Sequence, residues 1–387
     1  MAGIHAVVAR NEPRLLRNLK RLVAIESPSH DKAAVNRAMA CAVELAAEFG
    51  GRAKWHRQKV YGDVLELRFA PVKKKQILRS AQDDRVRPVM VLGHLDTVWP
   101  VGTLAGMPWR EKDGKIFGPG VLDMKSGVVM AIEAVAALRE LELLDRPVVL
   151  LLNSEEEVGS PVSRAITERI ARDCSAVFVM EPAQGLAYKT ARKGIGNYML
   201  RVEGVASHSG VDFEKGHSAI REMARLIERV SSFTDLTKGL TVNVGTVSGG
   251  TQSNVVAAEC VAAVDVRIVK ASDAARVERM FRALRVADKA CTLTVAGGIN
   301  RPPMERSAGT GRLYKTARKL AAEMGFVLEE AATGGGSDGN FTAAIGVPTL
   351  DGMGPVGAGA HAAHEHLVRS SLVERTVLLA GMIGSSE

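Results

Sequence analysis

His94 and Asp96 stand two residues apart in "VMVLGHLD", and three consecutive glutamates, Glu155, Glu156 and Glu157, follow the apolar run "RPVVLLLNS". Asp123 lies in "FGPGVLDMKSG", Glu181 in "VFVMEP", and His361, His364, Glu365 and His366 crowd into "GAGAHAAHEHL". Imidazole and carboxylate together form the ligand set of zinc or a similar first-row metal, and an inventory of this size suits two ions. Like charges are costly to bury without a cation among them, so the glutamate triplet is either a solvated loop or part of such a site. Each group alone has a plainer reading: an HxD pair satisfied in a core, a surface acid loop, a histidine-rich helix start. Their shared position at strand ends or in adjoining loops of one sheet joins them.

The elements follow from apolar periodicity. Residues 12–49 read as two helices separated by "SPSH". Apolar runs "PVMVLGHLD", "RPVVLLLNSEEE" and "SAVFVMEPA" then alternate with helix-like runs such as "KSGVVMAIEAVAALREL", the sign of an α/β sheet with parallel strands. In such sheets ligands bind outside the carboxyl ends of the strands, where these acids and histidines fall. From about Gly194 the texture becomes α+β for roughly one hundred residues, and the α/β pattern resumes with "TGRLYKTARKLAAEMG", the glycine-rich "TGGGSDGNF", "VPTLDGMG" and a helix from about Ser370. The expected organisation is a catalytic domain over 1–192, an inserted α+β domain over 193–302, and the rest of the catalytic domain over 303–387.

Composition sets outer bounds. The chain has 387 residues, 46% of them apolar and 4% aromatic, which suits an ordinary globular protein of more than one domain. No apolar run has signal-peptide or membrane-spanning character, so a cytoplasmic protein with no membrane partner is expected. Cys41, Cys174, Cys260 and Cys291 are scattered without CxxC spacing and read as reduced core residues. The formal charge of +8 raises nucleic acid as a partner. Part of that excess is local, because residues 73–87 hold six basic and two acidic residues in what reads as an exposed hairpin insertion. With no basic stripe interleaved with aromatics elsewhere, nucleic-acid binding is not expected.

The motifs "GHLDTVWP", "GPGVLDMKSG", "EEEVGS", "MEPA", "GVASHSG", "GGTQSNVV", "TGGGSDGN" and "GAHAAHEHL" run in the order seen in the two-zinc aminoacylase and glutamate carboxypeptidase family. The chain resembles that family over nearly its whole length, most of all the folate-cleaving glutamate carboxypeptidases. The resemblance implies a zinc-peptidase-like α/β catalytic domain with a mainly parallel mixed sheet, and a smaller α+β lid and dimerisation domain. It implies two Zn2+ ions, replaceable by Co2+ or Mn2+: His94 and Glu181 on one, Glu157 and His361 on the other, Asp123 between them. Asp96 would orient His94, and Glu156 would act as general base and acid, with Glu155 solvated and without a role, unless a one-residue shift of the motif makes Glu155 the base. The family spacing of His followed four residues later by Glu selects His361 with Glu365; His364 and His366 are bystanders, His364 being the fallback ligand.

On the substrate side, the resemblance assigns carbonyl or carboxylate contacts to His208, Asn254 and Arg267, with His208 reaching into a partner subunit in dimeric relatives. A turn histidine and an exposed strand arginine are the plainer readings of His208 and Arg267. Gly335, Gly336 and Ser337 would cradle the free carboxylate of the substrate. Lys189 and Arg301 stand roughly where basic residues serve a glutamate side chain, although Lys189 equally suits a strand-end solvent charge. The implied activity is hydrolysis of the amide before a C-terminal amino acid, glutamate above all, in N-acyl or peptidyl substrates, by a homodimer. A deacylase or dipeptidase of the same family, and a non-catalytic scaffold, are the alternatives.

Overall fold

The computed structural model describes residues 1–72 and 86–385. The basic insertion expected over 73–87 falls, except for its last two residues, outside the described residues. The chain divides into two compact units: Met1–Ala191, Arg306–Ala332 and Ser337–Glu387 form the first, and Arg192–Glu305 with Thr333–Gly336 form the second. The short run Thr333–Gly336 thus groups with the insertion rather than with the residues expected to surround it.

The first unit is built on a six-stranded sheet in the order Arg52–His56, Val64–Phe69, Val148–Asn153, Val89–His94, Ala176–Val179, Thr349–Leu350. The first two strands are antiparallel to their neighbours and the other four are mutually parallel, giving a mixed sheet. Parallel strands buried on both faces read as continuous apolar runs, and Val89–His94 and Val148–Asn153 are buried at every position. On one face, Met90, Leu92, Val149 and Leu151 meet Ile170 and Ala171 of the helix Ser163–Ala171. On the other, Val89, Val91, Leu150 and Leu152 join the main core with Ser126–Glu140 and Ser370–Ser385. Each fully buried Val or Leu contributes about 1.5–3 kcal/mol relative to an exposed one. This double cover fixes the strands and hence the height at which they end.

Register then places the chemistry. His94 pairs across from Asn153, so "HLD" and "SEEE" leave the sheet side by side. A second small sheet, in the order Gly357–Ala358, His366–Val368, Lys115–Phe117, Arg110–Lys112, matches His366 with Phe117 and brings residues 361–366 beside the turn that leads to Asp123. The residues expected as two helices form Glu12–Val23 and Lys32–Ala47, and a further helix, Ala2–Arg10, precedes them. Among the described residues no helix is long and apolar enough to cross a membrane.

The second unit is a four-stranded antiparallel sheet in the order Thr241–Gly249, Glu259–Ile268, Gly194–Glu203, Thr292–Arg301. Its central strands Glu259–Ile268 and Gly194–Glu203 alternate buried and open positions, and the helices Ala219–Ser231 and Ser272–Arg282 supply Leu226, Val230, Val277 and Phe281 to the buried face. The Phe281 ring stacks on Tyr198 at 3.8 Å between centroids.

Candidate metal centre

Two imidazoles face one carboxylate from opposite sides. His94 Nε2 lies 3.2 Å from Asp123 Oδ1 and 3.7 Å from Glu181 Oε1. His361 Nε2 lies 3.4 Å from Asp123 Oδ2 and 3.0 Å from Glu157 Oε2. Each oxygen of Asp123 therefore addresses a different histidine, the orientation a bridging carboxylate needs. His94, Asp123 and Glu157 can bring one donor atom each within 4.8 Å of one another, as can His94, Glu156 and Glu181. Four carboxylates against two imidazoles leave negative charge that a divalent cation would neutralise, so the donor set fits a metal.

Asp96 sets the geometry from behind. It is fully buried; its carboxylate accepts Ser29 Oγ at 2.6 Å and the amides of Glu156 and Glu157 at 3.1 Å each. The His94 Nδ1 lies 3.0 Å from the Asp96 carbonyl and 3.3 Å from its Oδ1, which turns Nε2 toward Asp123 and Glu181. One aspartate thus holds both the histidine and the backbone that carries two of the acids.

The charges respond as this crowding requires. Burial acts to lower the His94 pKa, but bonds to Asp123 and Asp96 outweigh it and hold the imidazole well above its ordinary value. Asp123 and Glu157 raise His361 to about 10. Burial would raise the Asp123 carboxyl, yet His361 and His94 pull it below the ordinary range, whereas for Glu157 burial prevails and the carboxyl is raised. His361 adopts φ 64, a left-handed conformation uncommon outside glycine, and the turn aims its ring at Glu157.

Glu155 corrects an expectation. It was expected in solvent; instead it is fully buried. Its carboxylate accepts Ser154 Oγ at 2.6 Å and the amides of Val162 and Ser163 at 3.1 and 2.6 Å, while its carbonyl accepts Val158 and Ser160. These bonds close the turn that presents Glu156 and Glu157. Buried Asp338 adds a clamp, accepting Asn153 Nδ2 at 2.6 Å and the Ser160 hydroxyl. Neither clamp was foreseen, since the backbone amides that satisfy Glu155 leave no mark in residue type. His364 and His366 are not among the facing groups: His366 Nδ1 contacts the His364 carbonyl.

The substrate-side candidates are described unit by unit. In the first, Lys189 donates to the Pro182 carbonyl at 2.9 Å. Ser337, expected in the carboxylate cradle, is fully buried; its amide donates to Asn340 Oδ1 at 3.0 Å and its hydroxyl to Asp351 at 2.5 Å. Its polar groups are committed inside the fold. In the second unit, Arg192 donates to the carbonyls of Gly335 and Gly336 and Arg267 to that of Gly334, all at 3.2 Å. Among the described residues the amides of Gly335 and Gly336 donate no hydrogen bond. Arg267 also pairs with Asp265 at 2.9 Å, and Arg301 is buried. His208 and Asn254 are exposed on adjoining loops joined by the Ser209 amide and the Asn254 carbonyl. Gly210 donates to His208 Nδ1 at 3.1 Å, so the neutral ring carries its proton on Nε2.

Comparison with known proteins places the chain in a family. Residues 90–385 match the Peptidase family M20/M25/M40. The chain is 29% identical to the carboxypeptidase G2 of Pseudomonas sp. (strain RS-16) over 301 residues, 76% of this chain and 72% of that one. It is 28% identical to the acetylornithine deacetylase of Myxococcus xanthus over 50% of this chain and 53% of that protein. Among solved structures, an aminopeptidase PepT from Bacillus cereus superposes with a TM-score of 0.79 at 22% identity, covering 97% of this chain and 98% of that one. An M20 family metallo-carboxypeptidase from Sulfolobus solfataricus does so with 0.75 at 15% identity, covering 96% and 98%. The chain belongs to the M20/M25/M40 peptidase family and is a metal-dependent hydrolase.

Proposed function

We propose that this chain is a two-zinc amidohydrolase that releases a C-terminal amino acid, glutamate first, from N-acyl or peptidyl substrates. The observation that carries the two-metal reading is the Asp123 carboxylate, whose oxygens face His94 and His361 separately. His94 and Glu181 would hold one ion, His361 and Glu157 the other, and Asp123 both. Bound zinc supplies Lewis acidity, polarising the scissile carbonyl and lowering the pKa of water. Glu156 takes the proton of the attacking water and delivers it to the departing amide nitrogen, so proton and leaving group balance. Asp96 keeps Glu156 in place through its amide.

The free carboxylate of the substrate is assigned to the open amides of Gly335 and Gly336, whose carbonyls are already occupied by Arg192, with Arg267, Asn254 and His208 as further contacts. Lys189 and Arg301 are assigned to the acidic side chain. A homodimer joined through the second unit completes the reading, and the four unpaired, buried cysteines support a reducing compartment. The likeness to an acetylornithine deacetylase favours a second reading, removal of a small acyl group from an amino acid.

Incubating zinc-loaded protein with N-acyl amino acids, dipeptides and pteroyl-glutamate, with and without chelator, separates the two by mass spectrometry of the products. Chelator-sensitive release of glutamate is expected. Release of other amino acids in its place would move the enzyme to the deacylase or dipeptidase reading. Substituting Lys189 and Arg301 by methionine should weaken KM for glutamyl substrates far more than for neutral ones, and an equal loss on both would remove the glutamate assignment.

A further inference from the structure

Glu365 is fully buried, and the hydrogen bonds to its carboxylate all come from neutral N–H groups. One oxygen accepts the Trp99 indole at 2.8 Å and the Gly120 amide at 3.0 Å. The other accepts the amides of Leu122 at 2.9 Å and Asp123 at 3.1 Å. All four donors lie on the two segments that follow His94 and lead into Asp123. The turn they form is tight: Gly120 has φ +68, and a Cβ there would come within 2.6 Å of Thr97 Cγ2. Four residues before Glu365, His361 faces the other oxygen of Asp123.

We propose that Glu365 is a positioning residue for Asp123, holding the 120–123 turn so that its two carboxylate oxygens meet two separate cations. The inference rests on the metal-hydrolase reading above. A carboxylate is required because four donors converge on two oxygens. Glutamine would turn an NH2 group toward two N–H donors, unpairing them in a buried site. Asp123 serves both ions, so a small rotation of its backbone disturbs both at once; sites of this kind need placement within about 0.5 Å. The spacing of His361 and Glu365 thereby acquires a physical meaning: one short segment provides a ligand and fixes the bridging group opposite it.

The test uses full-length protein stripped by chelator, with Zn2+ as the probe. Competition titration should give a zinc Kd at least about tenfold weaker in Glu365→Gln and in Glu365→Asp than in the wild type. Circular dichroism and urea unfolding of the apoprotein are measured alongside. A purely structural clamp would lower the urea midpoint and leave Kd where it was. A folded variant of either kind with wild-type zinc affinity overturns the inference, as does failure of both variants to fold, which would make Glu365 structural. If the wild type itself binds no zinc and shows no chelator-sensitive hydrolysis, the underlying reading of the site fails instead. Glu156→Gln, expected to bind zinc normally, serves as the control for that distinction.

Discussion

The first unit holds two layers of carboxylate, and they solve the problem of negative charge in opposite ways. The outer layer, Asp123, Glu157 and Glu181 with Glu156 beside them, faces imidazoles and suits cations. The inner layer, Asp96, Glu155 and Glu365, is fully buried and is met mainly by backbone amides and hydroxyls. An acid facing a cation does chemistry, whereas an acid facing N–H groups holds the chain that carries the chemistry. Several hydrogen bonds to a carboxylate can offset its burial without any basic partner. The outer layer is expected to govern turnover, and the inner layer geometry and stability.

The largest expected effect tests that division at its sharpest. Glu156→Gln should lower kcat by about 10²–10⁴-fold with metal content unchanged, because only proton transfer is lost; a near-normal rate would break the division. Next comes Asp96→Ala, which removes the support of His94 together with that of the Glu156 and Glu157 amides. It should weaken metal affinity or activity by about 10–100-fold, read by metal titration of the folded protein. Loss of metal in Glu156→Gln would make Glu156 a ligand rather than the proton carrier, and unchanged metal affinity in Asp96→Ala would remove Asp96 as the support of His94.

Glu155→Gln follows, with an expected cost of about 1–3 kcal/mol, seen as a lower urea midpoint of the apoprotein. An unchanged midpoint would mean that the clamp on the 156–159 turn is dispensable. The smallest effect lies at the edge of the same unit. Asp63 is buried, but the Gln58 amide and Arg57 outweigh its burial and lower its pKa. A depressed acid stabilises the fold above its unfolded value near ~3.9, and that contribution fades as pH falls through the folded value. Asp63→Asn should therefore flatten the decline in urea midpoint from about pH 5 downward, and an unaltered slope would exclude Asp63 as a source of it.

How much of this could be read in advance follows the same division. His94, Glu157 and Glu181 were legible because they fall at or just past strand-like runs, where histidine and carboxylate have a recognisable chemistry, whereas the roles of Asp123 and His361 came from the family resemblance. Register confirmed their company: His94 pairs with Asn153, so the two loops had to leave together. Glu155 reads as solvated from sequence, yet is buried, because a backbone amide looks the same beside every residue type. The partners of Glu365, at positions 120, 122 and 123, come from a distant part of the chain, and only the fold joins them. Ser337 shows the converse: a glycine-rich run suggested three open groups, and a nearby aspartate and asparagine had already engaged the serine.

The bond from the Asp123 amide to Glu365 spans 242 positions, with the second unit inserted between the two ends. On the ribosome, where the chain emerges from its N-terminus, the turn around Asp123 waits for its acceptor until the second unit and residue 365 have been made. A nascent or truncated chain lacking residues 361–365 has neither the second imidazole nor the anchor opposite it. Under the proposed two-metal reading, assembly of the site is thereby tied to the late arrival of residues 361–365.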